Sequence, residues 1–434
     1  MTVEVSEITL EEQDEILNEQ EGHCFELKSV DISPAKLTET LSAFANTTGG
    51  DLYVGVDEKD IHKKKVREWR GFPDQEAANG HIQTIEKYFP LGEYCDCTFI
   101  RCKNSKGLLL KVEVNKTREI KRASNGTVYL RRGAQNLPVD TDEGIRRLER
   151  NKGITSYETE LVNIGTDAIE NSLVFSEFLS YLIPQADPAS WLRKQFLVRE
   201  GKPTVAAVLL FAEEPQAILP KHCGIEILRY QTRDKDGSRP FLSFDPITVE
   251  GCIYNYNSIY DAVSKTVEVV EGIRKLGAFG LEPIQYPPET LHEIITNAVL
   301  HRDYSIAKDI QIRVFDNRIE VESPGRLPGH VTEENILREQ CTRNGSIVRW
   351  IIRFRNPPNK DVGEGLNTAF EAMTRLKLKA PLIKENENSV TVYIRHEPLA
   401  SPEEAVLQYL ETHDEVINRK ARELTGIASE NSMK

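Results

Sequence analysis

Apolar and polar positions along this chain alternate with two periods, and the changes of period mark its elements. In DISPAKLTETLSAFANTTGG, Leu37, Leu41, Phe44 and Ala45 recur at helical spacing. Asp31 or Ser33 supplies a cap, Pro34 sits in the first turn, and Gly49-Gly50 ends the helix. DLYVGVD then alternates with period two and reads as a strand, as does the shorter FELKSV before the helix. Two strands over 94–102 and 107–114 are joined at Asn104–Gly107 in a hairpin, and TVYLRR closes the set. These elements predict an α+β domain over residues 1–150. Its first 22 residues hold eight carboxylates and no basic side chain, which predicts a solvated helix leading into the domain.

Beyond it, PTVAAVLLFAEEP reads as a buried strand and GIEILRYQTR as another, giving an α/β connector over 151–260 with no chemical constellation. From residue 261 to 400 the pattern sharpens into an α/β sandwich. A helix over 261–277 precedes one over 287–301 that opens on two prolines. DIQIRVFDNRIEVESPG turns at Asp316-Asn317, a helix opens at Gly363-Glu-Gly365, and SVTVYIRH forms a last strand. Residues 401–434 carry two short helical patterns resembling the start of a winged helix-turn-helix, without a recognition helix. The fold class is therefore α+β multidomain.

Composition narrows the function classes. Over 434 residues there are 55 basic and 68 acidic side chains, a net charge of −13, so any nucleic-acid contact must come from local basic patches. No run of about 18 apolar residues occurs, and the acidic N-terminus is the opposite of a signal peptide. Seven scattered cysteines do not read as a disulfide framework. Cys95 and Cys97 lack a C-x-x-C or paired histidine that would suggest zinc. The expectation is a cytoplasmic protein with no membrane contact.

Candidate chemistry begins at FELK. Glu26 and Lys28, two residues apart on a strand, face the same side. With Asp57 leaving the DLYVGVD strand and Glu21 upstream, four groups could converge at one sheet edge, where hard oxygen ligands suit Mg²⁺ or Mn²⁺. A metal held there would stabilise phosphoryl charge and activate water. On spacing alone, Glu26 and Lys28 are more commonly an ordinary edge-strand ion pair. The run EGHCFELKSV…LSAFANTTGGDLYVGVDEKD, closing near TVYLRRGAQ, resembles the AlbA-type domain of the Schlafen family over about 110 residues. That resemblance implies a metal-dependent nuclease acting on RNA or single-stranded DNA. It implies Glu21, Glu26 and Asp57 as metal ligands and catalytic residues, with Lys28 as the phosphate-facing cation. Lys63, Lys64, Lys65, Arg67, Arg70, Arg131 and Arg132, with Trp69 and Tyr129 among them, form the expected nucleic-acid contact. A lysine run is as often a solvated loop.

A second constellation lies on the 287–301 helix. Glu293 and Asn297, one turn apart, can serve a nucleotide: the amide oxygen binds Mg²⁺ and the carboxylate orients water. Alone, this spacing is usually a solvated face. A hairpin, Ser323-Pro-Gly325 and the Gly363–Gly365 helix start follow, and a glycine-rich helix start cradles anions. The order resembles the GHKL ATPases (gyrase, histidine kinases, MutL proteins). ITNAVLHRDYS…RIEVESPGRLP…RNGSIVRWI…VGEGL is more closely similar to the ATP-binding domain that follows Schlafen-like domains in bacterial proteins. The resemblance implies ATP as ligand, with Asn297, Ser323, Gly325, Gly363 and Gly365 binding it and Glu293 catalytic if ATP is hydrolysed. Ser323 stands where better-known GHKL enzymes place an aspartate against adenine. No G-x-x-x-x-G-K-[ST] motif is present, so a helicase reading lacks support.

Together these imply a nucleotide-regulated nuclease that forms a homo-oligomer, a dimer or larger, suited to stress response or phage defence. The alternative is a non-catalytic, ATP-responsive transcriptional regulator that binds DNA.

Overall fold

The structure, a computed structural model, describes residues 3–61, 64–103, 105–234, 237–250, 256–277, 280–358 and 365–397. The expected helix-turn-helix at 401–434, Lys63 and Gly363 lie outside the described residues.

In the N-terminal domain, β1 (Glu4–Ile8) leads to α1 (Leu10–Asn18), whose start is fixed by a reciprocal Thr9–Glu12 capping box. Next come β2 (Phe25–Lys28), α2 (Pro34–Ala45), β3 (Gly50–Val54), β4 (Val56–Ile61), β5 (Lys64–Trp69) and α3 (Asn79–Tyr88). β6 (Cys95–Cys102), β7 (Leu109–Val114), β8 (Val128–Arg132), β9 (Gln135–Val139) and α4 (Asp142–Asn151) complete it. The main sheet runs β1-β6-β7-β3-β2, with β4-β5 and β8-β9 as separate two-stranded pairs. The acidic N-terminus is thus not a helix throughout. Glu4–Ile8 pairs in parallel with β6, an alignment across more than 90 residues that local pattern cannot reveal.

The AFANTTGG run is built for close packing. Asn46 donates to the Lys121 and Tyr129 carbonyls and accepts from the Lys121 amide, tying the end of α2 to the segment entering β8. At Gly49 (φ +83°) a Cβ would sit 2.6 Å from the Val114 carbonyl oxygen, so only glycine allows the turn into β3.

The rest of the described chain packs on one continuous core. α5 (Asp167–Glu170), α6 (Leu173–Leu182) and α7 (Pro188–Lys194) precede a tight hairpin, β10 (Val198–Arg199) and β11 (Lys202–Pro203). α8 (Val205–Phe211), α9 (Pro215–Ile218), β12 (Ile225–Arg229), β13 (Ile247–Val249) and α10 (Tyr256–Glu271) follow. Then come β14 (Arg274–Gly277), β15 (Gly280–Pro283), α11 (Pro288–Leu300), β16 (Ile310–Val314), β17 (Arg318–Pro324), α12 (Gly345–Ile351), α13 (Gly365–Arg375), β18 (Leu382–Glu385) and β19 (Ser389–Arg395).

Two expectations change here. Val205–Phe211 is a helix, not a strand: Thr204 caps it, and all seven residues are buried. A wholly apolar run carries no period to distinguish the two. Nor does the structure separate 151–260 from 261–400. β12 and β13 belong to the six-stranded sheet β13-β12-β16-β17-β19-β18, and one core cluster runs from Ile169 to Ile394.

The two units meet through buried polar contacts. The Lys116 ammonium donates to the Leu327 and Val331 carbonyls, both at 2.9 Å, and lies 3.7 Å from Glu385. Within the N-terminal domain, Lys152, at the end of α4, donates to Ala45 and Thr117. Burial pushes the Lys152 ammonium down to about 7 and that of Lys116 to about 8. No helix among the described residues is long and apolar enough to cross a membrane.

Candidate functional site

The first candidate site lies at the β2–β3 edge. β2 and β3 are parallel neighbours, Glu26 opposite Leu52, as the convergence argument requires. The side chains take other partners. Glu26 is 2% exposed, with one carboxylate oxygen on the Arg131 guanidinium and the other on the Lys28 ammonium. Arg131 is itself sealed in: Nε donates to Gly22 O at 2.9 Å and Nη1 to Asn136 at 2.8 Å, while Nη2 also reaches Phe25 O at 3.3 Å. Glu21 accepts the Leu27 amide at 3.1 Å. Asp57 accepts the Ser29 hydroxyl at 2.6 Å and lies 3.4 Å from Arg70.

The three carboxylates are therefore held separately by protein donors, and the expected metal set is not assembled. No group of three or more His, Cys, Asp or Glu among the described residues could hold a metal ion. The physical reason is that a guanidinium and an ammonium already occupy the two Glu26 oxygens, so neither is free for a divalent cation without leaving a buried cation unpaired. Lys28, engaged with Glu26, is likewise not presented as a phosphate-facing cation.

The expected nucleic-acid residues divide in the same way. Arg131 is buried and unavailable, a correction that no sequence signal separates from exposed Arg132. Arg132 pairs with Glu387 of the second unit. Arg67 reaches the carbonyls of Leu17 and Glu19 and lies 3.4 Å from Glu58; Arg70 pairs with Asp31 at 2.6 Å. Lys64 and Lys65 lie on β5, opposite Ile61 and Asp60 of β4.

The second candidate site lies on α11. Asn297 Nδ2 donates to Glu293 Oε1 at 2.8 Å across one turn of α11. α13 begins directly above this pair: a Cβ on Gly365 would lie 2.0 Å from Glu293 Oε1. Burial raises the Glu293 carboxyl above its ordinary value despite the Asn297 hydrogen bond. Ser323, at the end of β17, donates to the Ala298 carbonyl at 2.7 Å, one residue beyond Asn297. Gly325 (φ +107°) packs onto Asp303. Thus Glu293, Asn297 and Gly365 are brought together, with Ser323 and Gly325 on the adjoining wall.

His301 continues the Glu293–Asn297 row by one more turn. Its Nδ1 is buried without a hydrogen-bond partner, and burial beside Arg343 lowers the imidazole to about 4. The folded value lies below the unfolded one, so the unfolded state takes up the proton first as pH falls. His301 therefore contributes stability above about pH 6.5 that is lost by about pH 4, on the order of 3 kcal/mol. Urea unfolding of the wild type should lose about that much more between pH 7 and 4 than unfolding of His301→Leu; parallel pH dependences would refute the assignment.

Arg343, which the sequence shows within RNGSIVRWI without assigning it a role, links the second unit to the N-terminal domain. The Arg343 guanidinium lies 3.3 Å from Asp303 and donates to Arg326 O at 2.7 Å and Arg150 O at 2.9 Å. The loop after β17 thus touches the end of α11 on one side and the N-terminal domain on the other.

Comparison with known proteins agrees with this division. Residues 21–140 match the family model described as Schlafen, AlbA_2. Residues 307–394 match the one described as "Putative ATP-dependent DNA helicase recG C-terminal". The chain carries a Schlafen AlbA_2 domain and a RecG C-terminal-type domain. The AlbA_2 match contains β2, β3 and the AFANTTGG turn, and the ATPase-like match begins just after α11. Together they give the chain a nucleic-acid-related function. Among solved structures, the DIP2311 protein from Corynebacterium diphtheriae is 17% identical with a TM-score of 0.42, covering 95% of this chain and 86% of that one. The N-terminal domain of a RecG-related protein from Nitrosomonas europaea is 22% identical with a TM-score of 0.23, covering 30% of this chain and 87% of that one. No curated protein matches the chain.

Proposed function

We propose that this chain is a nucleotide-responsive, non-cleaving nucleic-acid-binding protein. Its AlbA_2 domain contacts RNA or single-stranded DNA, and its ATPase-like domain binds ATP. The observation that carries the nucleotide half is the Glu293–Asn297 pair beneath the glycine start of α13. With Nδ2 donating to Glu293, the Asn297 amide keeps its oxygen as the group to serve as a Mg²⁺ ligand. Bound ATP–Mg²⁺ would place its phosphates at the α13 start, where backbone N–H groups favour anions. Asn297 would hold the ion, Glu293 would orient water, and the Ser323 hydroxyl keeps lone pairs to accept an adenine amino group.

The non-cleaving half rests on the state of Glu26. A metal-dependent nuclease at Glu21, Glu26 and Asp57 would first have to free a carboxylate from two cations. This favours the regulator reading over the nuclease reading. Calorimetric titration with ATP–Mg²⁺, repeated with labelled RNA and single-stranded DNA with and without nucleotide, tests the proposal. Saturable ATP binding that changes nucleic-acid affinity is expected; no heat at millimolar ATP overturns it.

A further inference from the structure

We infer that α7, the β10–β11 hairpin and the end of α12 form a second nucleic-acid-binding surface, distinct from the AlbA_2 domain, that grips phosphates and stacks an unpaired base on Phe196. Arg193 and Lys194 end α7, Arg199 and Lys202 face each other across the hairpin, and Arg349 and Arg353 come from α12 and the turn after it; all six are exposed. Packing brings the elements together. Trp191 of α7 and Trp350 of α12 stack edge-on with ring centres 4.9 Å apart, and Arg349 lies 3.5 Å from Gln195. The Arg349 and Arg353 guanidinium groups lie over the Trp350 ring, 4.8 and 5.5 Å from its centre.

Their protein contacts among the described residues are to neutral groups: Arg199 donates to the Thr159 carbonyl and Arg349 to the Gln195 side chain, and the hairpin turn carries one exposed carboxylate, Glu200. By contrast, Arg67 and Arg70 of the AlbA_2 domain are both paired. In a chain of net charge −13, six exposed cations against one carboxylate on these adjoining elements form a local site for a polyanion.

Phe196 makes nucleic acid a better fit than an acidic protein. It is 74% exposed, between the cations, and holds φ +59° just after α7. A bulky residue is strained in that conformation, where glycine would be at ease, and burial gives it no compensation. An exposed ring among phosphate-binding cations offers a base a stacking platform. Glu200 and Gly201 both have positive φ, the two-residue turn that matches strand twist, so the hairpin sets Arg199 opposite Lys202.

The test uses the full chain and fluorescence anisotropy with labelled oligothymidylate and duplex DNA over a salt series. Arg193→Glu/Arg199→Glu/Arg349→Glu should weaken binding at least about tenfold and lower the log–log salt slope by roughly one unit per lost phosphate contact. Phe196→Gly should weaken single-strand binding about tenfold, more than duplex binding, while melting at the same or a higher temperature because the strain is relieved. Unchanged affinity and slope in both proteins would overturn the inference, as would equal displacement of oligothymidylate by poly-glutamate, which would indicate an acidic-protein surface. Loss of binding only in Arg132 and β4–β5 hairpin variants would overturn it while leaving AlbA_2 binding intact. No binding by the wild type would overturn both.

Discussion

Glu26→Ala is expected to destabilise the AlbA_2 domain by about 3–5 kcal/mol, because it leaves the sealed Arg131 guanidinium without its counter-charge. Arg131 would retain acceptors at Gly22, Phe25 and Asn136, but each is neutral. Arg131→Met should cost about as much by the opposite route, leaving a carboxylate at 2% exposure with only Lys28 beside it. Urea denaturation followed by far-ultraviolet circular dichroism reads both. The sign separates two accounts of Glu26. A carboxylate kept in a repulsive cluster to bind metal is destabilising, and its removal raises stability; one that closes a buried ion pair is stabilising.

Asn297→Ala should abolish thermal stabilisation by ATP–Mg²⁺, the largest effect expected in the second unit. At a nucleotide concentration about 100 times Kd, wild type gains about 2.7 kcal/mol, and the variant should gain close to none. Gly365→Ala should weaken binding by a different route: its methyl group would meet Glu293 Oε1 at 2.0 Å, so the Glu293 carboxylate must swing out of its contact with Asn297. Glu293→Gln should still bind, since the amide preserves the contact with Asn297 and only the base is lost. If all three bind ATP like wild type, the nucleotide lies elsewhere.

Legibility in the sequence followed the range of the interactions. Elements with a clear period were readable: α2, β3, the β6–β7 hairpin, α11, the β16–β17 hairpin and β19 lie close to where their patterns place them. Partnerships across long separations were not. β1 pairs with β6 and β12 with β16, so a strand reads as a solvated helix and one sheet as two domains. The uniformly apolar Val205–Phe211 had no period to read. Among candidate site residues, Glu293 and Asn297 were legible because one helix carries both and their spacing alone makes them neighbours. Glu21, Glu26 and Asp57 were legible as a motif but not as chemistry. What decides Glu26 is Arg131, 105 residues away, and the sequence offers no reason to bury it while exposing Arg132. The α7–α12 surface went unread because its cations come from separate segments.

The most direct test of the account is incubation of the full chain with end-labelled RNA and single-stranded DNA in Mn²⁺, with and without ATP, resolved on denaturing gels beside Glu26→Gln. The account predicts nucleic acid that is bound but intact in every lane. Wild-type cleavage that disappears in the folded Glu26→Gln protein would contradict it, and would mean that Glu26 leaves Arg131 to bind a metal.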